Sequence, residues 1–234
     1  MKRTGSIIRI SKIVMMLVLV VVVLLAAQKR FENTKREDFW DHLEDTVVTI
    51  NGEDITFKDL SFYVLYEERV VEEKARIYNP KSSKDFWNIH TNYTFVQGEA
   101  KDVILEMAIH DRLFYQLAME EGLTLSAEDE KYLASATEDF WEDLFDEQLE
   151  RLPATKNEIN EQIRILCLAE KYQNLLAETD GPSVAAYKYD GYYYGQMLED
   201  YDVEVNSKLW DRIVVGDITL VHGPTNYVNG YNEE

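Results

Sequence analysis

The stretch "EAKDVILEMAIHDRLFYQLAMEEGLTLSAEDE", residues 99–130, decides the fold that we predict for this chain. Apolar side chains recur along it at helical spacing and cover nearly the whole circumference, which is typical of a helix with partners on two sides. Gly122 is placed to end this helix with a positive φ. Ser126 and Asp129 then resemble a capping box that starts another helix. The stretch therefore predicts the central helix of a bundle.

Two polar residues interrupt the apolar surface of this helix. Asp111 lies in the middle of its main apolar face, near Met107 and Phe114. A carboxylate in such surroundings is either a catalytic acid or a structural hydrogen-bond acceptor, and the spacing supplies no charged partner apart from Arg112. The pattern favours a structural acceptor, and His110 is interpreted as a packed histidine and not a ligand.

The charge of the chain limits its partners. Of 24 Lys and Arg residues, eight lie in the first 36 positions, against one of the 44 acidic residues, so residues 37–234 carry a net charge of −27. Such a body repels phosphate backbones, so we expect no nucleic-acid partner. The single cysteine, Cys167, excludes an internal disulfide, and its helical surroundings predict a small buried residue, not a nucleophile.

The N-terminus has the pattern of a membrane address. Residues 1–12 form a basic n-region, and the uncharged run "IVMMLVLVVVVLLAA" at 13–27 begins a predicted transmembrane signal-anchor at 13–28. A cleaved signal peptide is the alternative, but Leu25 fits poorly at a position that wants a small residue. Gln28 excludes a lipobox cysteine. We therefore predict a single-pass protein of a bacterial cell membrane, with its acidic body outside the cytoplasm.

The start of the body predicts a stalk, a hairpin and a long helix. Residues 29–45 are interpreted as the stalk. The β-branched run "TVVTI" at 46–50 leads into Asn51-Gly52, a strong signal for a tight hairpin. Thr56 and Asp59 are placed to cap a helix over 57–78, which Asn79-Pro80 would end.

An irregular aromatic segment follows at 81–96. Its aromatics either plug the core from a covering loop or form a sticky surface for unfolded chains. Asn92 begins a glycosylation signal that matters only in a eukaryotic secretory pathway.

The second half predicts further helices and a return to the first strand. Helices are expected at 127–149, 158–177 and 184–199, and strands at 201–205 and 218–222. The acidic face of the first of these helices lacks the spacing of an EF-hand, so a solvated surface is favoured over a calcium site. The predicted fold is mainly α: a multi-helix bundle with a few short β-strands joining the two ends of the body. The predicted parts are a helical domain at 46–178, a linker at 179–190, a return segment at 191–222 and a flexible tail at 223–234.

Three segments carry a family resemblance: "VVTINGEDIT" at 47–56, "DRLFYQLAMEEGLTLSAEDE" at 111–130 and "DVEVNSKLW" at 202–210. Together they resemble the N-terminal, peptide-binding part of the SurA/PrsA-type extracytoplasmic foldases. The resemblance implies a SurA N-terminal-like helical core that binds polypeptides. In that family a parvulin-type prolyl isomerase domain is usually inserted before the return segment. Here only the twelve residues 179–190 occupy that place, which argues against isomerase activity.

These observations lead to three functional hypotheses. The first is a membrane-anchored chaperone or foldase-like protein that binds unfolded or exported polypeptides without catalysis. The alternatives are a prolyl isomerase of PrsA/SurA type and a structural adaptor for one fixed envelope partner. No catalytic residue, metal ligand or cofactor is predicted. The predicted peptide contacts are Phe86, Trp87, Tyr93, Phe95, Tyr192, Tyr193 and Tyr194.

Overall fold

The computed structural model describes residues 35–91 and 93–222. The predicted anchor at 13–28, Asn92 and the tail from 223 lie outside the described residues. The α-helices are α1 (Ser61–Tyr78), α2 (Lys84–Trp87), α3 (Val96–Glu120), α4 (Ala127–Asp143), α5 (Asp146–Leu149), α6 (Lys156–Asp180), α7 (Tyr192–Leu198) and α8 (Ser207–Trp210). The strands are β1 (Thr46–Ile50), β2 (Glu53–Thr56) and β3 (Val203–Val205), with 3-10 turns at Phe39–His42 and Val184–Tyr187. The predicted mainly α architecture with a few short strands is confirmed for these residues. Within them, none of the helices combines the length and apolarity needed to cross a membrane.

Helix α3 is the centre of the bundle, as its sequence predicts. It packs against α6 on one side and α1 on another, and it also contacts β1. Its core side chains Ile104, Leu113 and Phe114 are fully buried. Gly122, with φ 68°, follows the helix end, and Ser126 forms a capping box with the next helix. Local signals therefore set both boundaries of this element.

A small antiparallel sheet joins the two ends of the described body. Its order is β2-β1-β3, with β1 in the centre. Val48 of β1 pairs with Val205, and Ile50 pairs with Val203. The β1–β2 turn uses Asn51 and Gly52 with φ of 51° and 82°, which is the two-residue hairpin geometry that the sequence predicts.

Three predicted helices have different boundaries in the structure. Thr56 and Asp59 bond as predicted, but they close a turn, and α1 begins only at Ser61. The predicted helix over 127–149 is divided into α4 and α5, because the backbone of Leu144 adopts an extended conformation. The predicted helix over 184–199 divides into a 3-10 turn and α7, because Gly191 adopts an extended conformation between them.

The predicted strand at 218–222 is wrong. Among the described residues this segment has no sheet partner, and it instead packs across α1, where it forms what we call the C-terminal clasp, residues 216–222. The fully buried carboxylate of Glu68 accepts hydrogen bonds from the backbone amides of Gly216 (2.6 Å), Ile218 (3.1 Å) and Thr219 (2.8 Å), and from the Thr219 hydroxyl. The Glu68 carboxylate therefore supplies these amides with the hydrogen-bond acceptors that a neighbouring strand would otherwise supply.

A second acidic residue of α1 holds the end of the clasp. Glu72 accepts from the Trp87 indole at 2.9 Å and from Arg76 at 3.0 Å, and its carboxylate lies 3.5 Å from His222. Burial opposes the charge, but the hydrogen bonds from His222, Trp87, Ser83 and Arg76 outweigh it and lower the pKa of Glu72 to about 2. The same pairing raises the pKa of His222 despite its burial. The clasp is thus fastened by a charged network.

The predicted stalk and linker both touch the body where they are described. Phe39 is buried and packs edge-on against Phe57, with ring centroids 5.5 Å apart. The amide of Glu37 donates to the carbonyl of Arg212 at 3.0 Å. In the linker, the carbonyl of Val184 accepts from Gln173 of α6 at 2.8 Å, and Tyr187 is buried.

Candidate functional site

A surface groove between α1, α3, α6 and residues 188–189 is the candidate site. It has a volume of about 390 Å³. Phe62 and Tyr66 are one helical turn apart on α1 and form an aromatic wall, and their rings stack with centroids 6.2 Å apart. The remaining lining residues are Tyr63, Met107, His110, Asp111, Leu166, Glu170, Gln173, Lys188 and Tyr189.

Three buried polar side chains form the floor of this groove. The Tyr63 hydroxyl donates to one Asp111 oxygen at 3.1 Å, and His110 Nδ1 lies 2.7 Å from the other. His110 Nε2 lies 2.8 Å from the carbonyl oxygen of Tyr187. Both ring nitrogens therefore lie within hydrogen-bond distance of an oxygen, so the His110 ring is engaged on both sides.

Aromatic packing holds this floor in place. The His110 ring lies 4.4 Å from the Phe114 ring and 4.8 Å from the Tyr194 ring, measured between centroids. Burial, and then the charge of Asp111, raises the pKa of Tyr63 well above its usual value, so this phenol remains a donor. The geometry agrees with the structural interpretation of Asp111.

Besides Asp111, the acidic residue Glu170 lines the groove, and the charges of two more, Glu67 and Glu106, act on the groove residue Tyr189. Burial raises the pKa of Glu67 to about 7, with the charge of Lys74 opposing the shift. Burial raises the pKa of Glu170 as well, reinforced by Asp111. Burial followed by the neighbouring acids also raises the pKa of Glu106. Glu67 and Glu170 are only partly exposed, so water does not fully solvate these two carboxylates.

The predicted peptide contacts divide between buried and exposed positions. Trp87 and Tyr194 are both 3% exposed, the first bonded to Glu72 and the second packed on His110. Phe86 is partly buried against the core, beside Tyr78. The exposed members are Tyr93 (92%), Tyr192 (71%), Phe95 (46%) and Tyr193 (46%). Among ring contacts of the described residues, none joins the 86–95 group to the 192–194 group.

The groove residues on α1 were missed by sequence reasoning. Phe62, Tyr63 and Tyr66 follow helical spacing, but this spacing is equally typical of core residues, and Phe62 and Tyr63 are indeed buried. The partnership of His110 with Asp111 was missed because consecutive residues of a helix do not normally face each other.

The single thiol of the chain, Cys167, is buried on α6. Burial, followed by the charges of Glu170 and Asp129, raises the pKa of Cys167 to about 11, so the thiol stays protonated at neutral pH. In residues 35–91 and 93–222, no group of three or more His, Cys, Asp or Glu side chains is arranged to hold a metal ion.

Comparison with protein-family models, with curated proteins and with solved structures finds no match to this chain.

Proposed function

We propose that this protein is a membrane-anchored, extracytoplasmic chaperone-like module that binds unfolded or exported polypeptides without catalysis. The observation that carries the proposal is the open groove with aromatic walls beside Phe62, Tyr66 and Tyr189. Its volume of about 390 Å³ is large enough for a few side chains of an extended chain. Aromatic walls take varied apolar groups, which suits a protein with many clients.

The position of the groove supports the same proposal. Residues 188–189 form one side of it, and they belong to the twelve residues that stand where the resembling foldases carry their isomerase domain. A short segment there leaves the helical groove uncovered. The membrane anchor predicted at 13–28 would hold such a groove close to chains emerging from the membrane.

The arrangement of the groove floor favours binding over catalysis. His110 is the histidine that lines the groove, and both of its ring nitrogens are engaged by Asp111 and by the carbonyl of Tyr187. We expect the full chain to isomerise a prolyl peptide no faster than the uncatalysed reaction. A rate enhancement that is lost in His110→Asn would favour the isomerase alternative.

Binding to a defined unfolded protein tests the proposal. The full chain would be placed in phosphatidylcholine nanodiscs and mixed with lysozyme that has been reduced and alkylated so that it stays unfolded. A photo-crosslinking residue replaces Tyr189 in the groove, and the matched control replaces Met119, which is 52% exposed and lies outside the groove lining. We expect crosslinks to unfolded lysozyme from position 189 only.

Native lysozyme, which has the same sequence but a folded surface, is the control for charge. Equal crosslinking to folded and unfolded lysozyme, or equal yields at positions 189 and 119, would overturn the proposal. If crosslinking in intact cells gave a single partner of fixed stoichiometry, the adaptor hypothesis would replace it.

A further inference from the structure

Glu67 lies on α1 one helical turn after the groove residue Tyr63, and its carboxylate has no hydrogen-bond or ion-pair partner among the described residues. It is half-buried on α1 beside Tyr66, and within the described residues the charge of Lys74 is the only favourable interaction that its carboxylate receives. Withdrawing a charged group from water without a hydrogen bond or counter-ion costs free energy. A positive group supplied from outside would recover that cost.

The surroundings of Tyr189 add to the negative potential. Burial raises the pKa of this phenol first, and then the charges of Asp190, Glu67 and Glu106 raise it further. Asp190 belongs to the linker, Glu67 to α1 and Glu106 to α3. The negative charges of three elements therefore act on one aromatic ring. An aromatic face with carboxylates around it is a favourable site for a cation.

Among the described residues, none of the cationic side chains near the groove forms an ion pair with Glu67, whose carboxylate feels only the charge of Lys74. Lys188 lines the groove but is exposed to solvent. His110 is engaged by Asp111 at the floor. One intramolecular contact already shows the preference: the guanidinium of Arg69 lies over the Tyr66 ring, 5.5 Å from its centroid.

We infer that the groove selects segments in which a lysine or arginine stands next to an apolar residue. The basic side chain meets Glu67, and its apolar neighbour enters between Phe62, Tyr66 and Tyr189. The charge of −27 on residues 37–234 supports this choice of ligand, since it attracts basic chains at long range. The inference rests on the proposed binding of polypeptides and names the class of segment that is bound.

A pair of peptides that differ by one charge tests the inference. Both are twelve residues long with a neutral fluorescent label and a central Leu-Lys-Leu, and in one of them the lysine is acetylated. Binding to the full chain in phosphatidylcholine nanodiscs is measured by fluorescence anisotropy at pH 8. We expect the free lysine to bind about tenfold more tightly than the acetylated form, as for a partly desolvated ion pair with an aromatic contact.

Glu67→Gln identifies the group responsible. In this variant we expect the preference to fall to about twofold, while the exposed control Glu128→Gln keeps it. Lowering the pH to 5.5 protonates Glu67 and should reduce the preference of the unmodified protein. The surroundings of Glu67 and the groove contain other charged groups: Glu106, whose pKa is also raised, Asp190, Lys74 and Lys188. The pH effect is therefore assigned to Glu67 only if it is absent in Glu67→Gln.

The outcomes separate this inference from the proposed function. If both peptides bind equally, or if Glu67→Gln keeps the tenfold preference, the inference is overturned and polypeptide binding stands. If neither peptide binds and unfolded lysozyme does not crosslink, the proposed function is overturned and the inference with it.

Discussion

Glu67 and Glu68 are consecutive residues of α1, and burial raises the pKa of both carboxyl groups, but their hydrogen bonding differs. Glu68 is fully buried and its carboxylate accepts four hydrogen bonds from residues 216–219. Glu67, about 100° around the helix, is half-buried and has no hydrogen-bond donor among the described residues. A buried acid with a complete set of donors fastens one segment to another. A partly buried acid without donors weakens the fold and is available to a ligand.

The largest expected effect comes from removing the satisfied acid. Glu68→Ala leaves the amides of Gly216, Ile218 and Thr219 buried without an acceptor, and we expect a loss of about 4 kcal/mol in the free energy of unfolding. Urea denaturation of the full chain measures it. Glu73→Ala, which removes only the exposed pair with Arg69, is the control and should cost less than about 1 kcal/mol. Similar values for both variants would contradict the clasp as a stabilising element.

Glu72 tests whether the clasp depends on charge. Its pKa falls from 4.5 to about 2 on folding, which corresponds to about 3 kcal/mol of stabilisation at neutral pH. Because a lowered carboxyl pKa stabilises above the unfolded value, we expect Glu72→Gln to lose this amount at pH 7. The difference should shrink as the pH falls from 4.5 towards 2.

His222, the partner of Glu72, makes the stability depend on pH in a second range, where stability falls as the pH rises. The pKa of His222 is raised on folding, so its contribution is complete below pH 6.5 and is lost as the pH rises through the raised value. The deficit of Glu72→Gln should therefore be larger at pH 6 than at pH 9. Urea curves across this range provide the measurement, and a deficit independent of pH would show that packing alone holds the clasp.

The smallest expected change in stability comes from replacing Glu67, and this replacement is expected to stabilise the protein. Burial raises its pKa to about 7, so the ionised group destabilises the fold above pH 4.5, and this cost grows until the pH passes 7. Glu67→Gln should therefore stabilise the protein by about 1 kcal/mol at pH 8, after allowance for solvent screening, and by nothing at pH 4. Thermal unfolding at the two pH values measures the difference. A destabilised variant at pH 8 would mean that Glu67 has a structural partner.

Local signals predicted much of the architecture. The end of α3 at Gly122, the cap of α4 at Ser126 and the hairpin at Asn51-Gly52 each depend on residues within a few positions of one another. The pairing of β1 with β3 was also predicted, because a short β-branched strand at each end of a helical body has few other partners.

The errors occurred where distant residues decide the outcome. The run "ITLVH" at 218–222 has the composition of a strand, but Glu68, some 150 positions earlier, takes its amides. Trp87 and Tyr194 look like sticky aromatics in the sequence, but tertiary packing buries them against Glu72 and His110. Spacing along the chain contains no information about such contacts.

By itself, the sequence determined the helical class, the main caps and turns, the acidic character of the body and the closure of its two ends. These features follow from periodicity, short-range hydrogen bonding and charge, all of which can be read within a window of the chain. Only the tertiary structure decided which aromatics line a groove, which glutamate fastens the C-terminal clasp and which one is left without a partner. The physical reason is that burial and hydrogen-bond satisfaction depend on neighbours in space, and Glu67 and Glu68 share nearly the same sequence context but not the same neighbours.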